Sequence, residues 1–338
     1  MGTADPSPAS VAVVLVDWNA GGLITACLEA LARQTLAPRT VVVVDNASNP
    51  PTWRHLGAAP ERVEMIRLPR NLGFAAGVNR GVALAEGVEW IALLNPDAFP
   101  RPDWLERLVA AASRRPDYDF FASRQVSAEA PERLDGTGDA YAVSGLAWRR
   151  DHGEKEAGRR MDEGEVFGPC AAAALYRRRA FVEAGGLDES FFCYFEDVDL
   201  AFRLRLAGHR CLYVPDAVVR HVGSASSGRR SAFTVYHGHR NLVWAFFKNM
   251  PASMLARYWP HHMLLNALSI AHLAARGQGG PIVRAKRDAF IALPRVMRQR
   301  RRVQRTRRAS AAELRRAMVG GLEAFGVRRL SPHVASPE

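Results

Sequence analysis

The sequence predicts an α/β fold, a mostly parallel, twisted sheet flanked by helices, followed by a helical and basic C-terminal extension. Three observations carry this reading. Short apolar runs rich in β-branched residues alternate with segments of helical period over residues 11–113, the pattern of strand–helix–strand crossovers. Strand patterns give way to helical ones near residue 237. The charge is also uneven: residues 276–338 hold 16 Lys plus Arg against 4 Asp plus Glu, whereas residues 1–275 hold 30 of each. The +12 excess is therefore a C-terminal property, and such a region suits an anionic surface. The expected division is a flexible N-terminus over 1–10, an α/β domain over 11–236, a helical region over 237–330 and a tail over 331–338.

Each element has a local reason. Val11 to Val16 is a buried strand, broken at Gly21 and Gly22. Leu23, Ile24, Cys27, Leu28 and Leu31 then recur at helical spacing. Thr40 to Asp45 is the second strand and ends in the turn cluster Asn46-Ala-Ser-Asn-Pro-Pro. Val63 to Leu68 reads as a third strand, Ala75 to Ala85 as a helix and Trp90 to Leu94 as a fourth strand. Pro102 opens a helix over Asp103 to Ser113. Residues 130–165 lack periodicity and predict loops with a hairpin. Phe167 to Tyr176 and Arg210 to Pro215 read as strands, and Asp197 to Ala207 as a helix capped by Gly208. Beyond 237, His237 to Asn249, Met263 to Ala275 and an Arg-rich stretch over 284–325 read as helices. The 13 residues from Met263 to Ala275 are too few to cross a bilayer.

Composition narrows the class. A hydrophobic content of 48% supports a packed core. The four cysteines have neither zinc-like nor redox-like spacing, which suggests reduced thiols and a cytoplasmic setting. Met1 to Ser10 has no basic start or apolar core, so no secretion signal is expected.

The chemistry concentrates in two places. Glu196, Asp197 and Asp199 lie within four residues, behind the aromatic run from Phe191 to Phe195. Crowded carboxylates repel one another, and apolar surroundings raise that cost, so such a cluster points to a base or a cation site. Asn95-Pro96-Asp97 follows an apolar strand, and Asp45 ends another. Ligands of open α/β sheets bind at the carboxyl ends of strands. No G-x-G-x-x-G follows the first strand, which argues against a dinucleotide site.

Six ordered blocks resemble the family 2 glycosyltransferases, inverting enzymes of the GT-A fold, and within them a rhamnosyltransferase-like branch. They are Val16-Asp-Trp-Asn19, Val43-Val-Asp-Asn-Ala-Ser48, Arg70 to Gly81, Leu93-Leu-Asn-Pro-Asp97, Gly185-Gly-Leu-Asp-Glu189 and Phe192 to Leu200, together covering residues 11–224. The resemblance implies that 11–236 is a GT-A catalytic domain. It further implies that Trp18, Asn19, Asp45, Asn71, Asn79, Asn95 and Asp97 meet a dTDP- or UDP-linked sugar. Asp97 would hold Mg²⁺ or Mn²⁺, and Asp197 would be the general base with Glu196 beside it. His221 stands where many members place a metal- or diphosphate-contacting histidine; a purely structural role is the other reading. Gly168 to Ala172 is either an acceptor-side segment or a core strand. Gly73, Gly77 and Gly81 would allow close helix packing, and Asp199 would cap the following helix.

The implied reaction moves a sugar, rhamnose from dTDP-rhamnose as the leading choice, to a hydroxyl of a cell-surface glycan or a polyprenyl-diphosphate-linked acceptor. The alternatives are a non-catalytic membrane- or polyanion-binding protein on a transferase-like scaffold, or a nucleotidyltransferase. Eight arginines lie between 295 and 308. With no recognisable nucleic-acid fold, nucleic acid is not the expected partner. An anionic membrane surface at the inner face of the plasma membrane, a homodimer contact and a solvated helix are the remaining readings.

Overall fold

The computed structural model describes residues 10–56, 62–157, 161–223 and 231–326. The tail expected over 331–338, and the N-terminus expected over 1–10 apart from Ser10, lie outside the described residues. The first half of the chain runs β1 (Val11–Asp17), α1 (Leu23–Ala32), β2 (Thr40–Asp45), β3 (Val63–Arg67), α2 (Phe74–Leu84), β4 (Trp90–Leu94), β5 (Ala98–Pro100), α3 (Trp104–Arg114) and β6 (Phe120–Ser127). Short strands follow: β7 (Leu134–Gly136), β8 (Asp139–Tyr141), β9 (Ala147–Arg149), β10 (Gly164–Val166) and β11 (Ala173–Arg177). Then come α4 (Arg178–Glu183), α5 (Glu196–Leu206) and β12 (Cys211–His221), and finally α6 (Ala232–Asn249), α7 (Ala252–Ala274), α8 (Gly279–Ile291), α9 (Leu293–Arg305) and α10 (Ala311–Arg316).

The main sheet has the order β10-β12-β6-β11-β4-β1-β2-β3, with β5 and β7 paired at β12 and β6. Strands β3, β2, β1 and β4 are parallel, and β12 pairs β6 in parallel. β11 enters antiparallel between β4 and β6. β8 and β9 form the hairpin expected in the 130–165 stretch. Every residue of β1 and β4 is buried, because helices cover both faces. Asp17 stands opposite Asp45 in register, so the carboxyl ends of β1 and β2 open on the same edge. α2 lies close to that sheet because two of its residues lack side chains. A Cβ at Gly81 would fall 2.4 Å from Val14 Cγ1, and one at Gly77 would fall 2.6 Å from Val16 Cγ1.

Three expectations are corrected. The strand expected over Phe167 to Tyr176 is divided, with residues 167–172 forming a loop between β10 and β11. Arg205 from α5 donates to the carbonyls of Val166 and Phe167 and draws this segment onto α5 instead of into the sheet. The helix expected over Met263 to Ala275 begins at Ala252 and runs through Pro260 as α7. The Arg-rich stretch over 284–325 is divided among α8, α9, α10 and a terminal 3₁₀ turn, with Pro294 in the first turn of α9. No described helix is long and apolar enough to cross a membrane.

The helical region is joined to the sheet domain by buried charge. Asp199 of α5 is fully buried and accepts from Arg203 at 2.8 Å, from Lys248 at 2.9 Å and from Asn249 at 2.8 Å. Lys248 also donates to Asp188 at 2.7 Å. Asp199 is therefore not the helix cap expected from its first-turn position but the centre of an ion-pair network linking α5 to α6.

Candidate active site

A cleft of about 1060 Å³ opens at the carboxyl edge of β1 and β4. Its lining includes Trp18, Asn71, Asn95, Asp97, Glu196, Asp197 and His221, so residues up to about two hundred positions apart in the sequence converge there.

Asn19, Asp45 and Asn79 are not brought to this cleft. Asp45 is fully buried, and its oxygens accept from the amides of Ser48 (2.7 Å) and Thr52 (3.3 Å) and from Arg67 (3.2 Å). It holds the turn after β2. Asn19 Oδ1 accepts from the Asn49 amide at 2.7 Å and braces the same turn. Asn79 donates to the Leu187 carbonyl and accepts from the Leu187 amide, tying α2 to the 187–189 loop. These polar side chains spend their hydrogen bonds on the framework. Asn46, absent from the expected set, lines the cleft instead. Its Nδ2 donates to Asn71 Oδ1 at 2.9 Å and its Oδ1 accepts from the Leu72 amide at 2.9 Å, which fixes Asn71 at the wall.

On the β4 side, Asp97 Oδ1 lies 3.3 Å from His221 Nε2, and Asp97 Oδ2 accepts from the Gly223 amide at 3.2 Å. His221 Nδ1 lies 2.8 Å from Asp135 Oδ2. Asp135 on β7 thus fixes the ring and presents Nε2 to Asp97. Asp135 is itself paired with Arg149 and held by His152. Burial disfavours charge on both Asp97 and His221, but the His221 contact outweighs it at Asp97 and lowers that pKa, and the contacts with Asp135 and then Asp97 outweigh it at His221 and raise that one. No group of three or more His, Cys, Asp and Glu arranged to hold a metal exists among the described residues. A carboxylate and an imidazole nitrogen facing one cleft do fit an ion that takes its other oxygens from a diphosphate and water. The Asp135–His221 contact is the outer support such a ligand requires.

The second carboxylate group stands at the start of α5. Phe192, Tyr194 and Phe195 all have positive φ, between 66° and 68°, a conformation costly for residues with a side chain and frequent at functional sites. The loop is held from two sides. Asn241 of α6 donates one amide to the carbonyls of Phe191 (2.9 Å), Cys193 (2.9 Å) and Tyr194 (2.7 Å). From the other side Gly73, at φ 89°, lets the chain approach so closely that a Cβ would sit 2.5 Å from the Phe192 carbonyl oxygen. Gly73→Ala should displace this loop and lower kcat/KM by about tenfold or more with an unchanged circular dichroism spectrum; steady-state kinetics at matched folded fraction checks it.

Past the loop, Asp197 Oδ2 accepts from the Ala171 amide at 3.2 Å and Oδ1 from the Val198 amide at 2.8 Å. Residues 167–172 are thus a loop beside Asp197 and not the core strand that is one of the two readings of Gly168 to Ala172. Glu196 is buried, and its Oε2 has no partner among the described residues. Burial, then the neighbouring Asp197, push the Glu196 pKa well above the usual carboxylate range. Burial also raises Asp197, with the amides of Ala171 and Val198 and the charge of Arg149 opposing. Arg149 is the one Lys or Arg among the described residues lining the cleft. It bonds Asp135 and donates to Cys170 Sγ at 3.0 Å.

Known proteins resemble this chain in sequence and in fold. The glycosyl transferase family 2 model matches residues 12–185. An N-acetylglucosaminyl-diphospho-decaprenol L-rhamnosyltransferase of Mycobacterium tuberculosis is 32% identical over 260 residues, covering 68% of this chain and 81% of the relative. A galactofuranosyltransferase, GlfT1, of Mycolicibacterium smegmatis is 26% identical over 59% of this chain and 66% of its own. Among solved structures, GalNAc-T7 with UDP, GalNAc and Mn²⁺ superposes with a TM-score of 0.61 at 16% identity, over 79% of this chain and 52% of that one. A mannosyltransferase from Pyrobaculum calidifontis with GDP-Man and Mn²⁺ gives 0.52 at 18% identity, over 89% and 85%. These structures share the GT-A type of fold, and the sequence matches establish that the chain is an enzyme belonging to glycosyl transferase family 2.

Proposed function

We propose that the protein transfers a sugar, with inversion, from a nucleotide sugar to a hydroxyl of a glycan carried on a polyprenyl diphosphate. The leading donor is dTDP-rhamnose. The observation that carries the proposal is the cleft itself, which holds a carboxylate–imidazole pair and a separately supported pair of carboxylates, Glu196 buried and Asp197 half-buried. The rhamnosyltransferase relative, whose name specifies a diphospho-decaprenol acceptor, supports the choice of substrates. A lipid-carried acceptor would be met at the cytoplasmic membrane surface, and the product would enter a cell-surface polysaccharide.

Asp197 accepts the acceptor's proton as the oxygen attacks the anomeric carbon. Glu196, whose burial favours the protonated form, would donate a hydrogen bond to a neighbouring acceptor hydroxyl. Asp97 and His221 Nε2 would hold Mg²⁺ or Mn²⁺, which when bound neutralises the departing nucleoside diphosphate. Trp18, Asn71 and Asn95 line the donor side. Asp135 keeps His221 oriented, and Arg149 favours the ionised form of Asp197.

Two outcomes follow from this assignment. Asp135→Asn should weaken Mn²⁺-dependent nucleotide binding about 10–100-fold, measured by calorimetric titration. Arg149→Met removes a cation that favours ionised Asp197, so the acidic limb of its pH–kcat/KM profile should move to higher pH. An unmoved limb would remove Arg149 from that role. The reading as a whole is tested by incubating the enzyme with dTDP-rhamnose or UDP-sugars, with and without Mn²⁺, and an N-acetylglucosaminyl-diphospho-polyprenol. Transfer with inverted anomeric configuration is expected; retention of configuration would overturn it.

A further inference from the structure

Among the described residues, thirteen large hydrophobic side chains are exposed, and seven of them fall between Trp259 and Met297. Three of the seven, Trp259, Phe290 and Met297, line one groove and so share one region of the surface. α7 carries Trp259, 52% exposed, with Leu264 and Leu268 beyond it, and α8 ends in Phe290 and Ile291, the latter 70% exposed. An apolar groove runs between Trp259, Phe290 and Met297 of α9, floored by Arg300, whose guanidinium is turned inward to the carbonyls of Phe247 and Met250. Exposed apolar patches of this kind mark interaction sites.

The charges around the groove identify the occupant. Residues 252–305 carry 11 Lys or Arg, of which Lys286 and Arg300 are buried, and a single acid, Asp288, which is itself bonded to Tyr236 and Arg287. Arg287 stands one turn before Phe290, and Arg301 one turn after Met297, so each lies on the same helix face as the apolar residue. A second copy docked face to face would bring two such cationic surfaces together with one acid each to offset them. An anionic bilayer matches both features, taking the aromatic and aliphatic side chains into the acyl boundary and the arginines at the phosphates.

We infer that the α7–α9 face docks the protein on an anionic phospholipid surface, with Trp259, Phe290 and Met297 inserting and Arg287 and Arg301 at the headgroups. The inference stands on this face alone, independently of the sugar-transfer proposal. Docking here would hold the enzyme where a lipid-carried acceptor resides, with no membrane-spanning helix among the described residues.

The test is sedimentation of the full chain with phosphatidylcholine vesicles and with vesicles containing phosphatidylglycerol. Binding to the anionic vesicles alone, weakened by salt, is expected. Trp259→Gln with Met297→Gln, and separately Arg287→Glu with Arg301→Glu, should each reduce partitioning at least about tenfold. Both double variants should keep wild-type turnover on a short-chain, water-soluble acceptor, which separates failure of docking from failure of the proposed reaction. The inference is overturned if the chain ignores anionic vesicles at low salt. It is equally overturned if binding survives the Trp259 and Met297 changes, or if light scattering shows a dimer that those changes dissolve.

Discussion

Asp197→Asn is expected to lower kcat by about 10²–10⁴-fold, the usual contribution of a positioned general base, while nucleotide affinity is retained. The two supporting amides come from Ala171 and Val198, and neither belongs to the donor side of the cleft around Asp97 and His221. Stability separates this role from a structural one. Burial raises the Asp197 pKa, so the ionised carboxylate is disfavoured in the folded protein. The sign follows from linkage: a carboxylate with a raised folded-state pKa binds its proton more tightly when folded, and loses that contribution as pH rises through the folded pKa. A neutral amide removes the penalty, offset by the one amide hydrogen bond that Asn cannot accept. The variant should therefore unfold at or near the wild-type temperature at pH 7 while being nearly inactive. Substantial turnover in the isolated variant would exclude Asp197 as base, and a collapse in melting temperature would make the charge structural.

The carboxylates proposed for catalysis stand out in the chain because their signal is local. Glu196, Asp197 and Asp199 follow an aromatic run and open a helix, and Asn95-Pro96-Asp97 follows a buried strand. Most strands were legible for the same reason, and the span of β4 matches its sequence reading residue for residue. What sequence could not show is how polar groups divide between chemistry and framework. Asp45 ends a strand as a ligand-binding acid should, and only the fold shows that three framework donors hold it. Asp199 looks like a cap until Lys248 and Asn249 arrive from fifty residues away. Asp135 and Arg149 come from the stretch without periodicity, where short strands and a hairpin leave little pattern. Asn241 lies beyond the expected domain boundary, and nothing local reveals that its amide clamps the 191–194 loop. Asp97 and His221 had a motif; Asp135, which orients His221, had only its contact.

Asp199→Leu is expected to destabilise the protein by about 3–5 kcal/mol, the range for removing one partner of a buried ion pair. The alternative role is a helix cap, whose loss costs about 1 kcal/mol, so the size of the effect discriminates between them. At roughly 2–4 °C per kcal/mol for a domain of this size, the network predicts a fall in melting temperature near 10 °C. Arg203 would keep its bonds to the carbonyls of Ala184 and Gly186, and Lys248 its bond to Asp188, so the loss should not exceed that range. The consequence reaches the active site because Lys248 and Asn249 end the helix whose Asn241 holds the strained loop before Glu196. Loosening α6 should therefore lower kcat at temperatures where the protein is still folded. Lys248→Met supplies the control. If Asp199 and Lys248 stabilise mainly by neutralising each other, the Asp199→Leu, Lys248→Met double variant will recover part of the loss, because neither charge is left buried alone. Strictly additive losses in that cycle would mean that the two residues act independently, and the coupling between α6 and the loop would then rest on the direct contacts made by Asn241, Arg240 and their neighbours.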